Sequence, residues 1–96
     1  STYTMRGSVN SAGTHAIREY GIVWSRSQIS ETPTVAHNKL AIAGQPTIPS
    51  NFTRTVSAST FGTCVAIRYR AYAITTDGTV HYAPTVGTIG IGGCIN

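Results

Sequence analysis

The chain has 96 residues, 41% apolar and 10% charged, with a net charge of +4 and a pI near 9.5. That length holds one domain with a thin core, and no stretch is apolar for the ~20 residues a membrane helix needs. The seven cations (Arg6, Arg18, Arg26, Lys39, Arg54, Arg68 and Arg70) form no basic run and have no stacking-aromatic motif beside them, which sets nucleic-acid binding aside.

Thr and Ser, 15 and 9 residues, make up a quarter of the chain. Thr is β-branched and suits half-exposed pleated strands. With ten Gly, four Pro and no long run of helix formers, the composition points to strands and turns. Residues 2–9 read as a first strand, and Asn10-Ser11-Ala12-Gly13 as a turn. Residues 16–25, with Ile17, Tyr20, Ile22, Val23 and Trp24, read as a second strand, and residues 26–37 as a loop. A short strand is expected at 38–43, then a loop at 44–51 whose Pro46 and Pro49 exclude a central strand. Residues 52–59 read as a strand carrying Phe52 and Val56, and Phe61-Gly62 marks a corner. Residues 65–74 alternate: Val65, Ile67, Tyr69, Ala71 and Ala73 on a face expected to meet the core, and Ala66, Arg68, Arg70, Tyr72 and Ile74 on a face whose Arg and Tyr side chains are expected to be exposed. Asp77-Gly78 is a hairpin turn, and residues 79–91 return as a final strand that Pro84 kinks or confines to an edge. This spacing of strands and turns is that of an antiparallel β-sandwich.

Two segments carry a resemblance. Gly21-Ile22-Val23-Trp24-Ser25-Arg26-Ser27 resembles the G-F-x-W-S-x-S stretch of fibronectin type III-like, immunoglobulin-like repeats in surface proteins of Bacteroidetes-type bacteria. Residues 69–82 (YRAYAITTDGTVHY) resemble the V-R-A-Y-A-x-N-x-x-G-T-x-Y hairpin of the same repeats. The resemblance spans about residues 2–91 and implies a non-catalytic spacer, adhesive module or accessory domain of a larger extracellular protein. Two departures stand out. Such domains usually begin with a strand before the one at 2–9, and without it a sheet edge is left for a neighbouring subunit to complete by strand addition; the plainer alternative is that this strand was cut away or belongs to a preceding domain. Phe61 stands where the family has Leu, and Ile67 where it has the corner Tyr, so the corner's hydroxyl bond is absent.

Cys64 opens the penultimate strand and Cys94 ends the last, so a hairpin turning at Asp77-Gly78 brings them side by side if a bulge near Pro84 absorbs a small offset. A disulfide is the expectation, with two buried thiols as the alternative; two Cys without a paired Cys or His motif are a poor zinc signature. A disulfide implies an oxidising compartment. The chain opens on polar Ser1-Thr2-Tyr3-Thr4 without a start Met or a signal peptide, and reads as a processed or excised form.

No hydrolase, metalloprotease or phosphate-loop motif is present, and the acids Glu19, Glu31 and Asp77 are scattered: Asp77 belongs to its turn, and Glu19 pairs with Arg18 or is solvated. No enzyme, cofactor or metal is expected. Asn51-Phe52-Thr53 fits a glycosylation sequon. Residues 86–95 read as a last strand on the core, with Ile89, Ile91 and Ile95 on one face, and their low charge leaves that strand open to pairing in an assembly. The expected function is a structural subunit or module of an extracellular, cell-surface or virion-surface assembly, with other copies of itself or neighbouring domains as partners. The alternative is an adhesive module whose glycan or protein ligand meets Arg68, Arg70 and Tyr72 with His81 and Tyr82.

Overall fold

The computed structural model describes residues 2–9, 15–43, 50–62 and 64–92. Two antiparallel sheets face each other as a β-sandwich. In the smaller, β1 (Thr2–Val9) pairs with β4 (Ser50–Ser57), from Thr2 opposite Ser57 to Val9 opposite Ser50. The larger runs β3 (Asn38–Ala43), β2 (Ile17–Arg26) and β5 (Val65–Thr75). The far edge of β5 is shared by β6 (Val80–Tyr82) and β7 (Gly87–Ile91).

Alternation explains what faces inward. Along β1 the polar Thr2, Thr4, Arg6 and Ser8 are exposed, while Met5 and Val9 are buried. Met5 joins Ile22, Trp24, Phe61, Ile67 and Ala71 in the core between the sheets. Phe61 leaves β4 through a 3-10 turn over Ala58–Thr60, where the Ser57 hydroxyl accepts from the Ser59 N–H. Its ring is fully buried and meets Trp24 edge-on at 4.7 Å, a favourable aromatic geometry. The strand expected at 52–59 thus stops at Ser57, because the chain must turn inward to place Phe61.

The single final strand expected at 79–91 is two strands. Tyr82 lies opposite Tyr72 and Gly87 opposite Tyr69, so three steps along β5 face five along its partner. The extra residues are spent around Pro84, which has no N–H to give to the ladder; Ala83 still donates to the Ala71 carbonyl at 2.9 Å.

Gly21 sits where strands crowd. A Cβ there would lie 2.1 Å from the Leu40 carbonyl oxygen on β3. Gly21→Ala is expected to lower stability by about 1–3 kcal/mol in urea unfolding, the range for forcing an atom into filled space.

At the β5–β6 turn, Gly78 takes φ +90° and donates to the Thr75 carbonyl at 2.9 Å. The Asp77 carboxylate accepts from the Thr75 hydroxyl and from the Thr79 N–H and hydroxyl, at 3.2 and 3.0 Å. These bonds, the Thr75 hydroxyl's first, hold its pKa down at about 2 against an ordinary 3.8. A carboxyl titrating lower when folded contributes fully above about pH 4 and loses that contribution as the pH falls toward 2. Asp77→Ala is therefore expected to flatten this acid limb in unfolding midpoints measured between about pH 5 and pH 2.

Candidate functional site

The face of β5 that carries Arg68, Arg70 and Tyr72 is not open to solvent as its polar side chains suggest. Tyr72 is only 2% exposed. Residues 27–37, the link from β2 to β3, fold back over this face. Pro33 is fully buried, and Val35 packs on a second apolar cluster of Val23, Tyr72, Ile74, Val80 and Tyr82. Two side-chain hydrogen bonds, made by Arg70 and Tyr82, tether the link at Pro33 and Val35, and a cation–π contact joins those two side chains to each other. Arg70 Nε donates to the Pro33 carbonyl at 2.7 Å. Its guanidinium carbon lies 4.1 Å from the Tyr82 ring centroid, a cation–π contact. The Tyr82 hydroxyl accepts from the Val35 N–H at 3.0 Å. Arg68 donates to the Thr88 hydroxyl and faces Glu31 at 3.7 Å; with Glu31 largely exposed, that pair is weak.

Beneath the link, the Tyr72 ring lies opposite Gly21, and its hydroxyl donates to Glu19 Oε2 at 2.6 Å. Lys39 Nζ reaches the same oxygen at 2.9 Å. Glu19 thus pairs with Lys39 and Tyr72 across two strands rather than with its neighbour Arg18. The bond from Tyr72, then that from Lys39, lower the Glu19 pKa. Burial first, then the hydrogen bond to Glu19, push the Tyr72 hydroxyl far above its ordinary range. The trio is a clamp that ties β2 to both β3 and β5.

His81 does not belong to this face. It lies opposite Ala73, and directly opposed residues share a face, so His81 is on the side of Ala71 and Tyr69. The five sequence-predicted patch residues therefore divide: Arg70, Tyr72 and Tyr82 under the link, Arg68 at its edge, His81 on the other side. Asn51 of the sequon is exposed on β4. The Cys64 N–H donates to the Gly92 carbonyl at 2.8 Å; Cys94, with Ile95, lies outside the described residues.

A concavity lies beside β1, on the side where the absent first strand is expected to leave the sandwich open. An open groove of about 800 Å³ separates residues 6–8 of β1 and 51–53 of β4 from the 83–87 crossing between β6 and β7. Phe52, Tyr69 and Ala71 line its depth. Gly7 admits the Phe52 ring, since a Cβ there would come within 2.6 Å of it, and Gly87 admits the Tyr69 ring at 2.4 Å. Glycine at an inward position of β1 and the Pro84 break are the two signals that point to it. Beside the groove, β1 pairs with β4 alone among the described residues, so the alternate N–H and C=O groups along its other edge have no strand partner there.

Among the described residues no group of three or more His, Cys, Asp or Glu is placed to hold a metal ion, and no helix is long and apolar enough to cross a membrane. Comparison with protein-family models, with curated proteins and with solved structures finds no match.

The clamp has a direct test. Tyr72→Phe removes one hydrogen bond to a charged oxygen and is expected to cost about 1.5 kcal/mol in denaturant unfolding, leaving the far-ultraviolet spectrum of the sandwich unchanged.

Proposed function

We propose that this chain is a non-catalytic structural module of an extracellular or surface assembly, completed by a β-strand from a neighbouring subunit or domain. The observation that carries the reading is the edge of β1 that has no strand partner among the described residues, beside the groove floored by Phe52, Tyr69 and Ala71. An unpaired edge is a template for another strand, and a groove lined by Phe52, Tyr69 and Ala71 receives that strand's inward side chains. The strand order also supports the resemblance to fibronectin type III-like, immunoglobulin-like repeats, with β1 beside β4 facing β3, β2, β5 and the β6–β7 pair. In such sandwiches a further strand lies beside the one that corresponds to β1. Adhesion through the β5 face has less support, because Arg70 and Tyr72 spend their polar groups inside the fold.

A Cys64–Cys94 disulfide, and with it an oxidising compartment, belongs to this reading. The Cys64–Gly92 hydrogen bond supports it by holding the chain two residues before Cys94 against Cys64. The bridge is expected to add about 3–4 kcal/mol through loop closure. Intact mass without reductant checks it: two free thiols overturn the bridge.

Sedimentation and electron microscopy of the pure protein test the assembly, alone and mixed with its neighbouring domains. Concentration-dependent or partner-dependent association that protects the β1 amides from hydrogen exchange is expected. A monomer at high concentration that binds none of its neighbours overturns the reading.

A further inference from the structure

The groove's charge states what kind of strand it takes. Arg6 stands on the β1 bank with an exposed side chain, and none of the residues lining the groove is acidic. Arg70 also borders it, but its guanidinium is committed to Pro33 and Tyr82. Arg6 has no carboxylate within ion-pair distance among the described residues, although Lys39, Arg68 and His15 each have one.

The chain has only three acidic side chains, and all are used elsewhere: Glu19 on Lys39 and Tyr72, Glu31 against Arg68, and Asp77 in its turn. Of the seven strands among the described residues only β2 contains a carboxylate, and β2 lies inside the larger sheet, between β3 and β5, carrying the buried Ile22, Val23 and Trp24. The segments outside the described residues contain no Asp or Glu. Among the described strands, the one carboxylate-bearing strand that a second copy could offer Arg6 is β2, which it cannot lend without dismantling its own core.

We propose that the β1 groove accepts an acidic extended segment of a different chain or domain, with alternate apolar residues over Phe52, Tyr69 and Ala71 and a carboxylate at Arg6. This rests on reading β1 as an acceptor edge and replaces self-complementation with a heterotypic donor. The exposed ion pair selects the partner and speeds encounter more than it adds affinity.

The test uses two labelled octapeptides of alternating valine and polar residues, one with glutamate at its central polar positions and a twin with lysine there, titrated against the whole chain by fluorescence anisotropy. The glutamate peptide is expected to bind about threefold to tenfold more tightly at low salt. The difference closes near 1 M salt, where the screening length falls to about 3 Å. Arg6→Glu, at an exposed position, is expected to reverse the preference, and binding is expected to protect the β1 amides from hydrogen exchange. Equal binding of both peptides overturns the acidic donor and leaves the acceptor edge standing. Failure of both peptides while the pure chain self-associates through β1 overturns the heterotypic donor and leaves assembly standing. Failure of both with a strictly monomeric chain overturns both.

Discussion

The pairing of β2 with β5 is the constraint on which the rest of the molecule is laid. It runs from Ile17 opposite Thr75 to Arg26 opposite Ile67 and buries both of its faces. Ile22, Trp24, Ile67 and Ala71 look toward β1 and β4, while Val23, Tyr72 and Ile74 look toward the link at 27–37. A slip of one residue would turn one strand over against the other, sending either Trp24 of β2 toward the link or Tyr72 of β5 into the core between the sheets, so burial on both sides fixes the register. The ladder carries one irregularity: Ile17 and Glu19 lie opposite the successive residues Thr75 and Ile74. Two residues that strict alternation puts on one face are thereby put on opposite faces. Ile17 becomes buried, and Glu19 comes within reach of Tyr72 and Lys39.

That bulge shows where reading the sequence stops. Strand positions were legible because each strand alternates by itself: Met5 and Val9 against Thr4 and Ser8, Ile67 and Ala71 against Arg68 and Arg70. The hairpin turn was legible because Asp77 and Gly78 each do local work that their chemistry announces. The β5 outer face was not, because Arg and Tyr are amphipathic: their stems and rings pack while their polar ends find partners. Arg70 and Tyr72 read as a solvent face, but what covers them is Pro33 and Val35 from a stretch that reads as a polar linker. The groove is a relation among β1, β4 and the 83–87 crossing, and no window of sequence contains it.

The outer edges of the sandwich are not equally open. β3 is six residues long and carries Lys39, whose charge is held by Glu19. β4 carries Arg54 opposite Met5, hence on the inward face and half-buried, a charge that discourages continuation of the sheet on that side. The β6–β7 edge is two short pieces broken at Pro84. β1 alone runs eight unbroken residues with neither an inward charge nor a proline.

The break at Pro84 and the openness of β1 are linked. β1 lies over β5, and the neighbour that would carry the larger sheet outward beneath β1's free edge is the strand that Pro84 interrupts. Two extra residues between Tyr82 and Gly87 take the chain away from the ladder there and leave Tyr69 and Ala71 lining a groove instead of lying under a continuous strand. Gly7 and Gly87 keep its two banks free of side chains that would fill it. A proline that shifts the register by two residues also shapes the acceptor beside β1. An incoming strand would therefore meet an unpaired backbone and an apolar floor in the same place, and Arg6 at that bank supplies the charge by which donors are told apart.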